Sequence, residues 1–111
     1  MSASSSAREV LDPSVQELFA DDPAGYAELS AIFVRSTAQR MAELEDACSH
    51  GASERIAEIA HALASSAESL GARRLGLACR TLERDPASGS AQLEQVRTEL
   101  TAVTRRLPAA D

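Results

Sequence analysis

Apolar side chains recur at alternating steps of three and four residues in four successive segments of this chain, and that period points to an all-helical fold. The longest run is Tyr26, Leu29, Phe33, Thr37, Met41, Leu44 and Cys48. Ile56, Ile59, Ala60, Leu63, Ala67 and Leu70 form the next, followed by Leu75, Ala78, Cys79 and Leu82, then Leu93, Val96, Leu100, Val103 and Leu107. No segment alternates with the period of a strand, and there is no internal repeat or glycine-rich phosphate loop. The punctuation agrees. Asp12-Pro13 and Asp22-Pro23 each pair a capping carboxylate with a proline suited to a first helical turn. The first should open a short helix through Phe19 or Ala20, the second a long one to about Ser49. Gly51 and Gly71 provide left-handed stops, with Ser53 as the expected cap of the third helix. A fourth helix is predicted over residues 72–84 and a loop over 86–90, with Pro108 ending the fifth helix. Four substantial helices on short turns pack most simply as an antiparallel up-down-up-down bundle, the short first helix covering one end. Residues 11–108 then form the bundle, and the Ser/Ala-rich residues 1–10 a disordered tail.

Composition narrows the function classes. A net charge of −6 over 111 residues opposes nucleic-acid binding, because nothing offsets phosphate repulsion. The sequence contains no lysine, so arginine supplies every basic side chain. Cys48 and Cys79 occupy apolar helical positions and read as reduced thiols of a cytoplasmic protein. A zinc site from Cys48, Cys79 and His50 lacks any tight ligand spacing. No apolar stretch approaches the roughly 20 residues of a membrane span, and the first residues carry no hydrophobic signal core.

One titratable residue breaks the pattern. With Ile56 set to zero and a turn of about 100° per residue, the apolar stripe of the third helix lies within about 60° of it, while His61 falls near 140°. Its imidazole is therefore expected in solvent. Ala57, Ala64 and Ser65, one turn away on either side, are all small and would let a partner approach. Glu54, Glu58 and Glu68 share the same face and would make its field negative. From spacing alone, a merely solvated histidine is the commoner reading.

His61-Ala62-Leu63 with Ser66 and then Leu70-Gly71-Ala72 resembles the signature of the histidine phosphotransfer (HPt) domain family, His-x-Leu-Lys-Gly-Ser before a hydrophobic-Gly-Ala turn. The spacing from His61 to Gly71 agrees without a gap. The likeness extends to Leu75, Cys79, Leu82 and Glu83, and upstream to Leu11-Asp12-Pro13 and Asp21-Asp22-Pro23. Two signature positions depart: Ala64 stands in place of the lysine and Ser65 in place of the glycine.

The resemblance implies a phosphoryl carrier without ATP hydrolysis. His61 would accept a phosphoryl group from a receiver-domain aspartate and pass it to another, in a two-component phosphorelay with a hybrid sensor histidine kinase and a response-regulator receiver as partners. Imidazole suits this chemistry near neutral pH. Glu83 falls where the family places a residue that holds the second imidazole nitrogen. Ala57, Ala64, Ser65 and Glu68 would form the docking surface. No cofactor is expected on this chain, since magnesium belongs to the receiver, and the bundle should act as a monomer away from nucleic acid and membrane. The departures at Ala64 and Ser65 support a different reading, an HPt-like adaptor or inhibitor that docks a kinase or receiver with weak or no phosphotransfer.

Overall fold

The computed structural model describes residues 10–108. Asp12 accepts a hydrogen bond from the Ser14 N–H at 2.9 Å and opens α1, Pro13–Glu17, which is shorter than the predicted helix. Asp22 accepts from the Gly25 N–H at 3.0 Å and opens α2, Pro23–Ser49. Next come α3, Ser53–Leu70, and α4, Arg73–Arg84. A single 3₁₀ turn, Pro86–Ser88, leads into α5, Gly89–Arg106. All of these elements are helical, as the apolar period requires.

The two tight turns are built alike. Gly51 and Gly71 take φ of +62° and +83°, a region costly for any residue with a Cβ. Around Gly51, the Ala52 N–H donates to the Ala47 carbonyl at 3.0 Å and the Gly51 N–H to that of Cys48 at 3.2 Å. Around Gly71, the corresponding bonds run from Ala72 to Ala67 at 2.8 Å and from Gly71 to Glu68 at 3.1 Å. This paired closure satisfies the last carbonyls of each helix. The residue that completes it also opens the next helix. Hence Ala52, not Ser53, stands at the N-terminal cap of α3, without any side-chain cap bond. The expected Ser53 cap is wrong because the turn uses one residue for two jobs.

Helices adjacent in sequence pack together, α3 most closely on α4, and α5 returns to α2, so the four long helices enclose one core. Leu44, Leu63, Leu75, Leu82, Val96 and Val103 are fully buried in it, each leucine contributing about 2 kcal/mol by leaving water. Small residues allow the tight α3–α4 contact. Ala60, Ala64 and Ala67 are wholly buried, and a Cβ on Gly76 would come within 3.3 Å of Glu68 Cγ. Ser30 and Thr37 are tolerated in the core because their hydroxyls donate to the Tyr26 and Phe33 carbonyls at 2.8 and 2.7 Å.

Several residues lie elsewhere than their spacing predicts. Val10, assigned to the tail, is buried in the core, while the remaining tail residues 1–9 lie outside the described residues. The predicted loop over 86–90 is largely helical: α5 begins at Gly89, whose missing side chain admits Cys48 Sγ, 3.1 Å from where a Cβ would stand. Leu29, Cys48, Leu93 and Leu100 are only partly buried. Glu99, which no sequence signal singled out, is buried on α5. It accepts from Arg74 Nη2 at 3.0 Å and from Gln95 Nε2 at 2.9 Å.

Candidate functional site

His61 occupies the middle of α3 with its side chain 61% exposed, on the face opposite Ile56, Ile59 and Leu63. Glu83, on the last turn of α4, reaches across the closely packed pair and places Oε2 at 2.8 Å from His61 Nδ1. The Gly71 turn is what brings these residues together, since they lie 22 positions apart.

A third side chain completes the cluster. Arg80, one turn before Glu83 on α4, donates from Nη1 to Glu83 Oε1 at 2.8 Å and places the same nitrogen 3.2 Å from His61 Nδ1. Its Nε and Nη2 donate to Glu68 Oε2 and Oε1 at 3.0 and 2.9 Å, a two-point grip on one carboxylate. Nδ1 cannot both donate to Glu83 and accept from Arg80. The carboxylate only accepts and makes the shorter contact, and the arginine proton already has Glu83 Oε1 as its acceptor. The proton therefore sits on Nδ1. In the neutral ring the lone pair is then on Nε2, and the side chain is largely exposed.

The charges reinforce this order. Glu83 is held below the usual carboxylate range by the Arg80 hydrogen bond first and the His61 bond second. Arg80 lowers Glu68 in the same way, and both carboxylates raise the guanidinium. The acidic face expected around His61 is thus largely neutralised at Glu68, while Glu54 and Glu58 remain exposed. Sequence reasoning missed Arg80. The signal was available: a residue three positions before Glu83 shares its helical face.

The surroundings correct one assignment. Ser65 and Glu68 are exposed and Ala57 is half-buried, but Ala64 is fully buried beneath α4 and cannot belong to a docking surface. Rotation about α3 put it beside His61 in projection; the close approach of α4 covers that flank. His50 is exposed at the end of α2, where Nδ1 lies 2.8 Å from the Asp46 carbonyl oxygen, far simpler surroundings than those of His61.

No group of three or more His, Cys, Asp or Glu among the described residues is arranged to hold a metal ion. Cys79 is buried and its thiol is pushed up to about 12 by desolvation, so it is no nucleophile near neutral pH. No helix among the described residues is long and apolar enough to cross a membrane. What remains is an oriented, exposed imidazole on a helical face. It can serve as a nucleophile toward an electrophile carried by another molecule.

Comparison with known proteins agrees with this geometry. No curated protein and no solved structure gives a match. The Hpt domain family model matches residues 28–106, which spans α2 to α5 and includes His61, Arg80 and Glu83. Domains of this kind are phosphocarrier modules of two-component phosphorelays, working with receiver domains and kinases rather than as enzymes. The chain belongs to the Hpt domain family.

Proposed function

We propose that His61 is the phosphoryl acceptor and donor of this chain, relaying the group between aspartates of receiver domains. The observation that carries the reading is the 2.8 Å contact between Nδ1 and Glu83, which assigns the neutral ring's proton to Nδ1 and makes Nε2 of this exposed side chain the nucleophilic nitrogen. In the forward step Nε2 attacks the phosphorus of a receiver's aspartyl phosphate. The Nε2–P bond forms as the P–O bond breaks, and the aspartate leaves as carboxylate with the electron pair. The Nδ1 proton stays in place, so the product is a phospho-imidazolium whose positive ring faces the Glu83 carboxylate. Reversal returns the phosphoryl group to a second aspartate. Such transfer asks little of the protein beyond positioning and charge stabilisation.

In this reading Ala57, Ser65 and Glu68 frame the docking surface around His61, and magnesium is bound by the receiver, with no cofactor on this chain. The cyclic order of helix contacts supports an antiparallel up-down-up-down bundle, with α1 covering one end through the Asp12 N–H to Gly71 carbonyl bond of 2.8 Å. A single enclosed core supports a monomer, two free cysteines support a cytoplasmic protein, and the family match supports a hybrid kinase and a response regulator as partners. The test is incubation with a phosphorylated receiver: the wild type takes up label and His61→Gln does not. Equal labelling of both proteins would remove His61 from the role. Receiver binding without labelling would make the chain an adaptor.

A further inference from the structure

Where the family signature carries lysine, this chain has Ala64, and that position is sealed beneath α4. A cation nevertheless stands beside His61. Arg80 comes from the neighbouring helix, and its guanidinium is shared between Glu83, which also holds the imidazole, and Glu68, which lies toward solvent. We infer that Arg80 supplies the positive charge that position 64 lacks, and that Glu68 holds it in reserve until His61 is phosphorylated. The inference rests on His61 being the phosphoryl acceptor.

Two features of the cluster favour this exchange. The Glu68 carboxylate is half exposed, so water screens its attraction for the guanidinium and the pair is readily given up. A phosphoryl group carries close to two negative charges and three acceptor oxygens, and so outbids one carboxylate for a planar, multi-donor cation. Arg80 touches the ring at Nδ1, so in this exchange Nε and Nη2 would leave Glu68 and turn toward the phosphoryl group on Nε2 while Nη1 stays on Glu83. Arg80 takes no part in moving the proton on Nδ1. It acts as an electrostatic partner of the product, and Glu68 as its competitor.

A small phosphodonor separates this proposal from receiver docking. Phosphoramidate transfers its phosphoryl group to imidazole with ammonia as leaving group, and the phosphohistidine formed is counted by ³¹P NMR. Wild type, His61→Gln, Arg80→Met, Arg80→Lys and Glu68→Gln are compared at low and high salt, with helicity checked by circular dichroism. Arg80→Met should lower the phosphorylated fraction roughly three- to tenfold at low salt, and Arg80→Lys should retain most of it. Glu68→Gln should raise it, because the competitor is gone, and the differences should shrink at high salt. The opposite signs matter: both Arg80→Met and Glu68→Gln break the same ion pair, and a purely structural clamp would make both fall. If Arg80→Met folds poorly, the sign for Glu68→Gln decides. Labelled wild type with Arg80→Met and Glu68→Gln unchanged, or both reduced, overturns the role of Arg80 and leaves His61 as acceptor. Wild type labelled no more than His61→Gln overturns both.

Discussion

Helix α4 sends arginines to two different neighbours, and the two junctions serve opposite ends. Arg74 reaches α5 and meets Glu99, whose side chain is only 4% exposed and whose same oxygen also takes a bond from Gln95. Arg80 reaches α3 and meets Glu68 and Glu83 beside an exposed histidine. The chemistry of the pairs is the same; their burial differs. A buried carboxylate must keep its partners, so the α4–α5 junction is fixed structure. An exposed one can trade partners with water or an incoming anion, so the α3–α4 junction is available for function. Small residues decide which is which: alanines and Gly76 let α4 settle against α3 until Glu83 and Arg80 come within reach of the imidazole.

The sharpest way to break this comparison is at the position where sequence projection and packing disagree. Ala64→Lys forces a long ammonium into a sealed site and should cost about 3 kcal/mol in urea unfolding through overpacking and desolvation. An unchanged unfolding midpoint together with a raised phosphohistidine level would show that α4 does not cover position 64. Glu99→Ala should follow, losing about 2 kcal/mol because Arg74 and Gln95 lose a buried acceptor, while receiver-dependent labelling of His61 stays as in wild type. A loss of labelling would mean that the α4–α5 junction is not merely structural.

Glu83→Ala should show the reverse profile, with melting little changed and the transfer rate down roughly tenfold as the imidazole loses its fixed tautomer. Glu83→Gln should recover part of the rate, since an amide oxygen still accepts the Nδ1 proton. Equal rates for Glu83→Ala and wild type would remove Glu83 from the mechanism.

The smallest effect is in titration. Arg80 and His61 hold Glu83 below the usual carboxylate range, so in Arg80→Met the Glu83 side chain, followed by ¹³C NMR, should titrate closer to the ordinary glutamate value of about 4.3. Because the folded-state value is the lower one, the interaction favours folding above the ordinary glutamate range. It is lost as pH falls through the folded value. A midpoint that does not rise in Arg80→Met would contradict the shared carboxylate.

Much of the fold could be read from local chemistry. The Asp-Pro caps and the glycines at 51 and 71 mark helix ends because capping and positive φ are properties of a few adjacent residues. The exposure of His61 followed from the period of α3 alone. What could not be read depends on how closely two helices approach and at what rotation. The burial of Ala64 and the company of Arg80 both follow from α4 lying tight on that flank of α3, which no single-helix projection contains. Glu99 sits within the apolar run of α5 and was invisible as a core residue until its partners on α4 and α5 were seen.

Phosphoryl transfer through His61 comes down to one atom. A long-range ¹H–¹⁵N correlation spectrum of the phosphorylated protein distinguishes the two ring nitrogens of His61 directly, and ³¹P coupling identifies the one that carries phosphorus. The geometry predicts phosphorus on Nε2 and a retained proton on Nδ1 facing Glu83. Phosphorus on Nδ1, or on His50, would contradict the account.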